Sequence, residues 1–240
     1  MAGALRVRGD GNRRPAGVEP SAPMRAPWAI VCDFDGTALT EDLGDLVAYR
    51  FAGEANYRAA ADLYQRGEFP FSVLLAKVFA PITAARDEIA AFAREHAVLR
   101  PGFEAFVEAC RESGRPFLVV SSGLDAYIEP VLERLPAALR AHVEVRANRA
   151  ELSPSGLSVR FHGADCGFCG FCKGEVVREL QRAGNKVVLC GDGTGDRHAA
   201  DAADHVFARA GSSLVRYCAE RRIRHDVFET FDEVMARFPR

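Results

Sequence analysis

The chain of 240 residues lacks any run approaching the ~18 consecutive apolar residues that a membrane-spanning helix needs, so no span is expected. It lacks an excess of either charge. Thirty-one Lys and Arg stand against 33 Asp and Glu, for a formal net charge of -2. That excludes the broad basic footprint of a nucleic-acid binder. An even set of cysteines behind a secretory leader is also lacking. The seven cysteines are odd in number, and no apolar leader precedes them. Reduced thiols or metal ligands are therefore expected in place of a disulfide framework, in a cytoplasmic protein. What is present is an ordinary globular composition, 48% hydrophobic and 27% charged, enough to bury a full core.

Residues 1–27 stand apart. Five arginines face only Asp10 and Glu19, and Gly and Pro interrupt any apolar period. This segment is read as a disordered tail; translation starting at Met24 would account for the same appearance. From Trp28 the pattern alternates between short apolar strands and helices, which predicts an α/β fold with a doubly wound parallel sheet. Strands are expected at Trp28–Cys32, Pro116–Val120, Val143–Arg146, Lys186–Cys190 and His205–Ala208. The Leu152–Gly156 stretch suggests a hairpin, within a hairpin and Cys-rich region at 150–172. Four Ala- and Leu-rich segments, Asp42–Phe51, Asn56–Gln65, Phe71–Phe79 and Ala84–His96, have helical spacing and no strand signal. They predict a helical insert over 41–96, dividing a core of 28–40 and 97–240.

Open sheets bind ligands beyond the carboxyl ends of their strands. The first strand runs into Asp33-Phe34-Asp35-Gly36-Thr37, and a later one into Ser121-Ser122-Gly123. Lys173 opens a helix, and the strand ending at Cys190 runs into Gly191-Asp192, with Asp196 following. A DxD or GD alone is more often a turn; their shared placement at strand ends is the informative feature. Asp33, Asp35, Asp192 and Asp196 brought together without a cation would repel, and some would stay protonated. Oxygen ligands of this kind suit Mg2+. A serine hydroxyl, backbone amides and a lysine ammonium suit a phosphate dianion. The combination points to phosphoryl transfer.

These motifs resemble, in order, the four motifs of the haloacid dehalogenase (HAD) superfamily, over about Ile30 to Pro239. The helical insert is similar to the C1 cap of its phosphoserine-phosphatase-like branch, subfamily IB. Leu99–Phe103, Val119–Asp125 and Cys169–Lys173 resemble the MtnX-like phosphatases of methionine salvage. The resemblance implies Asp33 as nucleophile, forming an aspartyl-phosphate, and Asp35 as general acid and then base. It implies Mg2+ held by the Asp33 carboxylate, the Asp35 backbone carbonyl and Asp192, with Asp196 steadying the metal's water shell. Ser121, Ser122, Lys173, Thr37 and Asp42 would contact phosphate or substrate. Three positions depart from the branch: Ser122 stands where Gly is common, Asp42 where phosphoserine phosphatases carry Glu, and Ala76 where they carry an Arg for the substrate carboxylate. These departures disfavour phosphoserine; the resemblance to the MtnX-like phosphatases implies as substrate a small phosphorylated metabolite, 2-hydroxy-3-keto-5-methylthiopentenyl-1-phosphate. Phosphoserine, phosphocholine and phosphoethanolamine are the alternatives, and a non-catalytic zinc- or thiol-regulated binding module is a reading from another class.

Cys166, Cys169 and Cys172 form C-x2-C-x2-C, with His162 four residues upstream. These four are a possible tetrahedral Zn2+ set. Reduced thiols in a Gly-rich loop, or a labile disulfide, are the other readings. Cys32, Cys110, Cys190 and Cys218 are expected in the core, and His205 and His225 in structural roles.

Overall fold

The computed structural model describes residues 27–163 and 166–239; the tail assigned to 1–27 lies outside them but for its last residue. Seven strands form one sheet in the order β4-β3-β2-β1-β5-β6-β7. They are β1 (Trp28–Cys32), β2 (Phe117–Leu124), β3 (Val143–Ser153), β4 (Gly156–Arg160), β5 (Lys186–Gly191), β6 (His205–Arg209) and β7 (His225–Phe228). All neighbouring pairs are parallel except β3 with β4, the predicted hairpin.

The central strands are apolar on both faces because helices cover both. Ile30, Cys32, Val119, Val188 and Cys190 join one buried cluster, and Val31, Val120, Val187 and Leu189 the other. On the first face lie α5 (Phe103–Glu112), α6 (Asp125–Leu132), the short α7 (Ala137–His142) and α11 (Phe231–Ala236). On the second lie α8 (Lys173–Arg182), α9 (Arg197–Ala200) and α10 (Ser213–Arg221). Cys32, Cys110, Cys190 and Cys218 are fully buried, as the sequence led us to expect.

Four helices intervene between β1 and α5: α1 (Leu43–Ala52), α2 (Glu54–Gln65), α3 (Phe71–Phe79) and α4 (Arg86–His96). Their entry and exit segments meet in a bridge between Leu39 and Leu99, and Thr40 N donates to Val98 O at 3.0 Å. None of the described helices is long and apolar enough to cross a membrane.

Two elements had no sequence signal. β7 has four residues, three of them half-buried or exposed, and pairs on one side only, so it lacks a run of apolar residues. The six residues of α7 are too few for a helical period. After β5 the chain makes a 3-10 turn, Thr194–Asp196, that leads into α9.

Candidate active site

Strand order reverses at β1: the chain builds outward through β2 and β3, then returns to the other side with β5. Such a switch point opens a crevice at the carboxyl ends. Cys32 pairs with Cys190, and Asp33 N donates to Cys190 O at 2.9 Å, so the loops after β1 and β5 are neighbours. The β1 loop leaves the strand in a tight turn over Phe34–Ala38. Gly36 sits at φ +67, where a Cβ would come within 2.7 Å of Asp192 Oδ2; the glycine lets the two loops close on each other.

The carboxylate oxygens of Asp33, Asp192 and Asp196 lie within 4.8 Å of one another. Lys173 Nζ sits between two of them, 2.6 Å from Asp33 Oδ1 and 2.7 Å from Asp196 Oδ1, with almost no exposure. Burial alone would lower the lysine pKa, but Asp196 and Asp33 more than offset that and hold it raised. Burial, then Asp196, pushes Asp33 up, and Lys173 only partly opposes this. Asp192 is pushed up to about 6 by burial and by Asp196. Three carboxylates against one ammonium leave two negative charges, the charge that a divalent cation neutralises. The donor set therefore fits Mg2+, which oxygen ligands favour.

Asp196 contributes less freely than its position suggests. Its Oδ1 is taken by Lys173, and its Oδ2 accepts from the amides of Asp192 and Gly193, both at 2.9 Å. Asp35 turns its carboxylate away from the cluster: Oδ1 accepts from Leu43 N and Gly44 N at the start of α1, and Oδ2 from the Tyr127 hydroxyl at 2.8 Å. Only its backbone carbonyl remains for a metal. Burial raises Asp35 to about 6 despite these donors, which suits a group that both gives and takes a proton near neutrality.

Ser121 and Ser122 both reach the cavity because β2 breaks register with β3 between Ser121 and Leu124; a regular strand would point them to opposite faces. Ser121 Oγ accepts from Gly123 N at 2.9 Å. Ser122 Oγ is buried with no partner, a hydroxyl that a bound oxyanion would satisfy. Buried Asn148 holds this segment through Ser122 O at 2.8 Å. Asp42 caps α1 through Asp45 N at 2.8 Å and lines the cavity. Thr37 is placed differently from the phosphate contact expected of it: it is fully buried, and its hydroxyl donates to Asp192 Oδ1 at 3.0 Å.

Above this floor is a cavity of about 210 Å3. Helix α3 lines it with Phe71, Leu74, Leu75, Val78 and Phe79, and Asp42, Asp45 and Tyr57 stand at one side. Lys173 is its sole basic lining residue among those described. Ala76 does not line it, so the cap's lack of a carboxylate partner rests on the neighbouring apolar side chains. Phe69 also stays out of it, under the Lys77 ammonium.

Besides Asp45 and Tyr57, two residues that shape this site escaped the sequence reading. Tyr127 lies within α6 with no motif to mark it, yet its ring is buried and its hydroxyl meets Asp35. Gly123 makes room for it, since a Cβ there would lie 1.9 Å from that hydroxyl. We expect Tyr127→Phe to move the pH limb set by Asp35 upward, because the lost donor stabilises the carboxylate. Profiles of kcat/KM against pH check this; an unmoved limb would show that the hydroxyl does not tune Asp35. The second residue is Arg100, which donates to the carbonyls of Gly36, Thr37 and Leu39 at 2.7–2.9 Å and ties down the β1 loop.

The cysteine loop needs one correction. Cys166, Cys169 and Cys172 do come together, but their histidine is His198 of α9, not His162. The His162 ring packs 4.8 Å from Phe171, and its backbone amide donates to Asn148 Oδ1. α9 packs against the start of α8, which brings His198 to the thiols. His205 pairs with Asp226 at 3.0 Å, and His225 with Ile223 O, both in structural positions.

The haloacid dehalogenase-like hydrolase family model matches residues 30–201. The bifunctional enzyme MtnB/MtnX of Bacillus licheniformis is 32% identical over 216 residues, 88% of this chain; the chain spans 49% of that protein. A 2-hydroxy-3-keto-5-methylthiopentenyl-1-phosphate phosphatase of Bacillus cereus is 32% identical over 85% of this chain and 93% of its own length. Among solved structures, a substrate-bound phosphoserine phosphatase complex superposes with a TM-score of 0.66 at 16% identity, covering 88% of this chain and 97% of that one. A HAD family hydrolase of Salmonella enterica serovar Typhi gives 0.68 at 18% identity, covering 89% and 71%. At these identities the two structures establish the fold alone.

Proposed function

The chain belongs to the haloacid dehalogenase-like hydrolases and is a phosphatase, and from that premise we propose that it is a Mg2+-dependent phosphomonoesterase working through an aspartyl-phosphate on Asp33. The observation that carries the reading is the Asp33–Lys173–Asp196 ion triad beside Asp192, at the carboxyl ends of the neighbouring central strands β1 and β5. An Asp33 carboxylate oxygen attacks phosphorus, and the P–O bond to the leaving alcohol breaks. Asp35 gives that oxygen its proton, then takes one from the water that attacks the acyl phosphate. Lys173 and the Ser121 and Ser122 hydroxyls hold phosphate oxygens. Thr37 and Asp196 orient Asp192 and Lys173. Asp33, Asp192 and the Asp35 carbonyl would hold Mg2+, which when bound would supply charge neutralisation at the phosphoryl group.

For the substrate, the apolar face of α3 favours a short, uncharged tail with no carboxylate. 2-Hydroxy-3-keto-5-methylthiopentenyl-1-phosphate, with its thioether end, meets that description. Asp42, Asp45 and Tyr57 at the cavity side favour a second reading, a cationic tail such as that of phosphocholine or phosphoethanolamine. Turnover of a panel of phosphomonoesters decides: the first reading predicts the highest kcat/KM for the thioether ketose phosphate and a poor one for phosphoserine. Preference for phosphocholine would transfer the assignment to the second.

Metal binding has a stability signature. Burial and Asp196 push Asp192 up to about 6, and push Asp33 well up too, from the usual carboxylate value of 3.8. Their contribution is fully favourable below that unfolded value and is lost as pH rises through about 6 and beyond. The metal-free protein is thus penalised at pH 7.5, and Mg2+ relieves the penalty. At about 100 times its Kd, Mg2+ adds ~2.7 kcal/mol, or roughly 5–10 °C in Tm for a chain of this size. We expect that shift at pH 7.5 and a much smaller one at pH 5; equal shifts at both would place Mg2+ away from these carboxylates.

A further inference from the structure

We propose that Cys166, Cys169, Cys172 and His198 form a structural zinc site that fixes the loop carrying Lys173 against α9 and the cap. The sulfurs lie 3.8, 3.3 and 3.6 Å from His198 Nδ1, in the order of the chain. Hydrogen bonding does not account for this convergence. An imidazole nitrogen has one lone pair and can accept from one thiol, not three. Zinc does account for it: with Zn–S about 2.3 Å and Zn–N about 2.0–2.1 Å, a tetrahedral ion holds sulfur and nitrogen about 3.6 Å apart. The observed spread straddles that value. Thiolates and an imidazole select zinc over the hard cation suited to the carboxylate cluster. Four protein ligands leave no open position, so the ion would be structural. Binding exchanges thiol protons, released to solvent, for metal–sulfur bonds, with no redox change.

The consequence lies in what the ligands adjoin. Cys172 is the residue before Lys173 and stands at the N-cap position of α8. His198 follows Asp196 by two residues, and a Cβ on Gly174 would lie 2.7 Å from His198 O, so α8 and α9 are in direct contact. One ion thereby clamps both segments that carry the buried Lys173–Asp196 pair. Between the ligands, Phe168 stacks on Phe71 of the cavity wall, and its carbonyl accepts from Ser72 N at 2.9 Å. The clamp thus extends to the cap.

The test is metal analysis of the full chain, purified under reducing conditions from zinc-supplemented cells. We expect one equivalent of zinc in the wild type and in His162→Gln, and its loss in Cys169→Ser and His198→Gln. Cobalt added to the metal-free wild type should give thiolate-to-cobalt charge-transfer absorption and tetrahedral d–d bands, a readout that holds even where a variant fails to fold. A wild type that binds neither metal when reduced would overturn the proposal, as would full zinc retention in Cys169→Ser. Isolation as a disulfide that regains no zinc on reduction would also overturn it. None of these readouts requires turnover, so the zinc site and the phosphatase mechanism fail separately.

Discussion

Asp33→Asn is expected to reduce kcat by roughly 10^4–10^6-fold, the scale on which removing a covalent nucleophile acts, while leaving the fold intact. The amide has the size of the carboxylate and can still accept from Phe34 N, the 2.7 Å bond that orients Asp33. It also removes a charge that burial and Asp196 already disfavour. Lys173 keeps Asp196 as a partner. The metal-free variant should therefore hold its Tm within about 2–4 °C of the wild type, equivalent to ~1 kcal/mol. p-Nitrophenyl phosphate hydrolysis with Mg2+ and after EDTA, beside a thermal melt, checks both halves. Undiminished turnover in the variant would remove Asp33 from the chemistry. Loss of activity together with loss of fold would assign it to structure.

Arg100→Ala should cost about 3–5 kcal/mol of stability. Arg100 is only 9% exposed, and its guanidinium satisfies three carbonyls of the loop that presents Asp33 and Asp35, plus Glu229 O at 3.2 Å near the far end of the chain. Truncation strands these acceptors. On the size scaling above, this amounts to a fall of roughly 10 °C in Tm. Arg100→Lys should recover only part of it, because an ammonium cannot reach several carbonyls at once with the fork geometry of guanidinium. Denaturant unfolding measures this directly, and a cost below ~1 kcal/mol would show that water replaces the clamp.

The contrast between these two residues explains what the chain discloses before it is folded. Asp33, Ser121, Lys173 and Asp192 each follow a strand or open a helix, so the rule that parallel strands end together places them at one edge without knowing any contact. Tyr127, Arg100 and His198 follow no such rule. Tyr127 reaches Asp35 across 92 positions and Arg100 reaches Thr37 across 63. His198 meets Cys169 across 29, and only the docking of α9 on α8 chooses it over the nearer His162. Local spacing found His162 because it lay close in sequence; packing decided otherwise. Thr37 differs for a related reason, since the turn at Gly36 points its hydroxyl at Asp192 instead of outward. The helices of the insert were legible because their periodicity is local, whereas β7 is defined by its pairing to β6.

The central claim is that phosphate passes through Asp33. Rapid acid quench of the wild-type enzyme during turnover of a 32P-labelled phosphomonoester, followed by peptide mapping, tests it most directly. The account predicts label on the peptide containing Asp33, released by hydroxylamine as expected of an acyl phosphate, and absent from Asp33→Asn. Label on another residue, or full turnover with no labelled protein at any quench time, would contradict it.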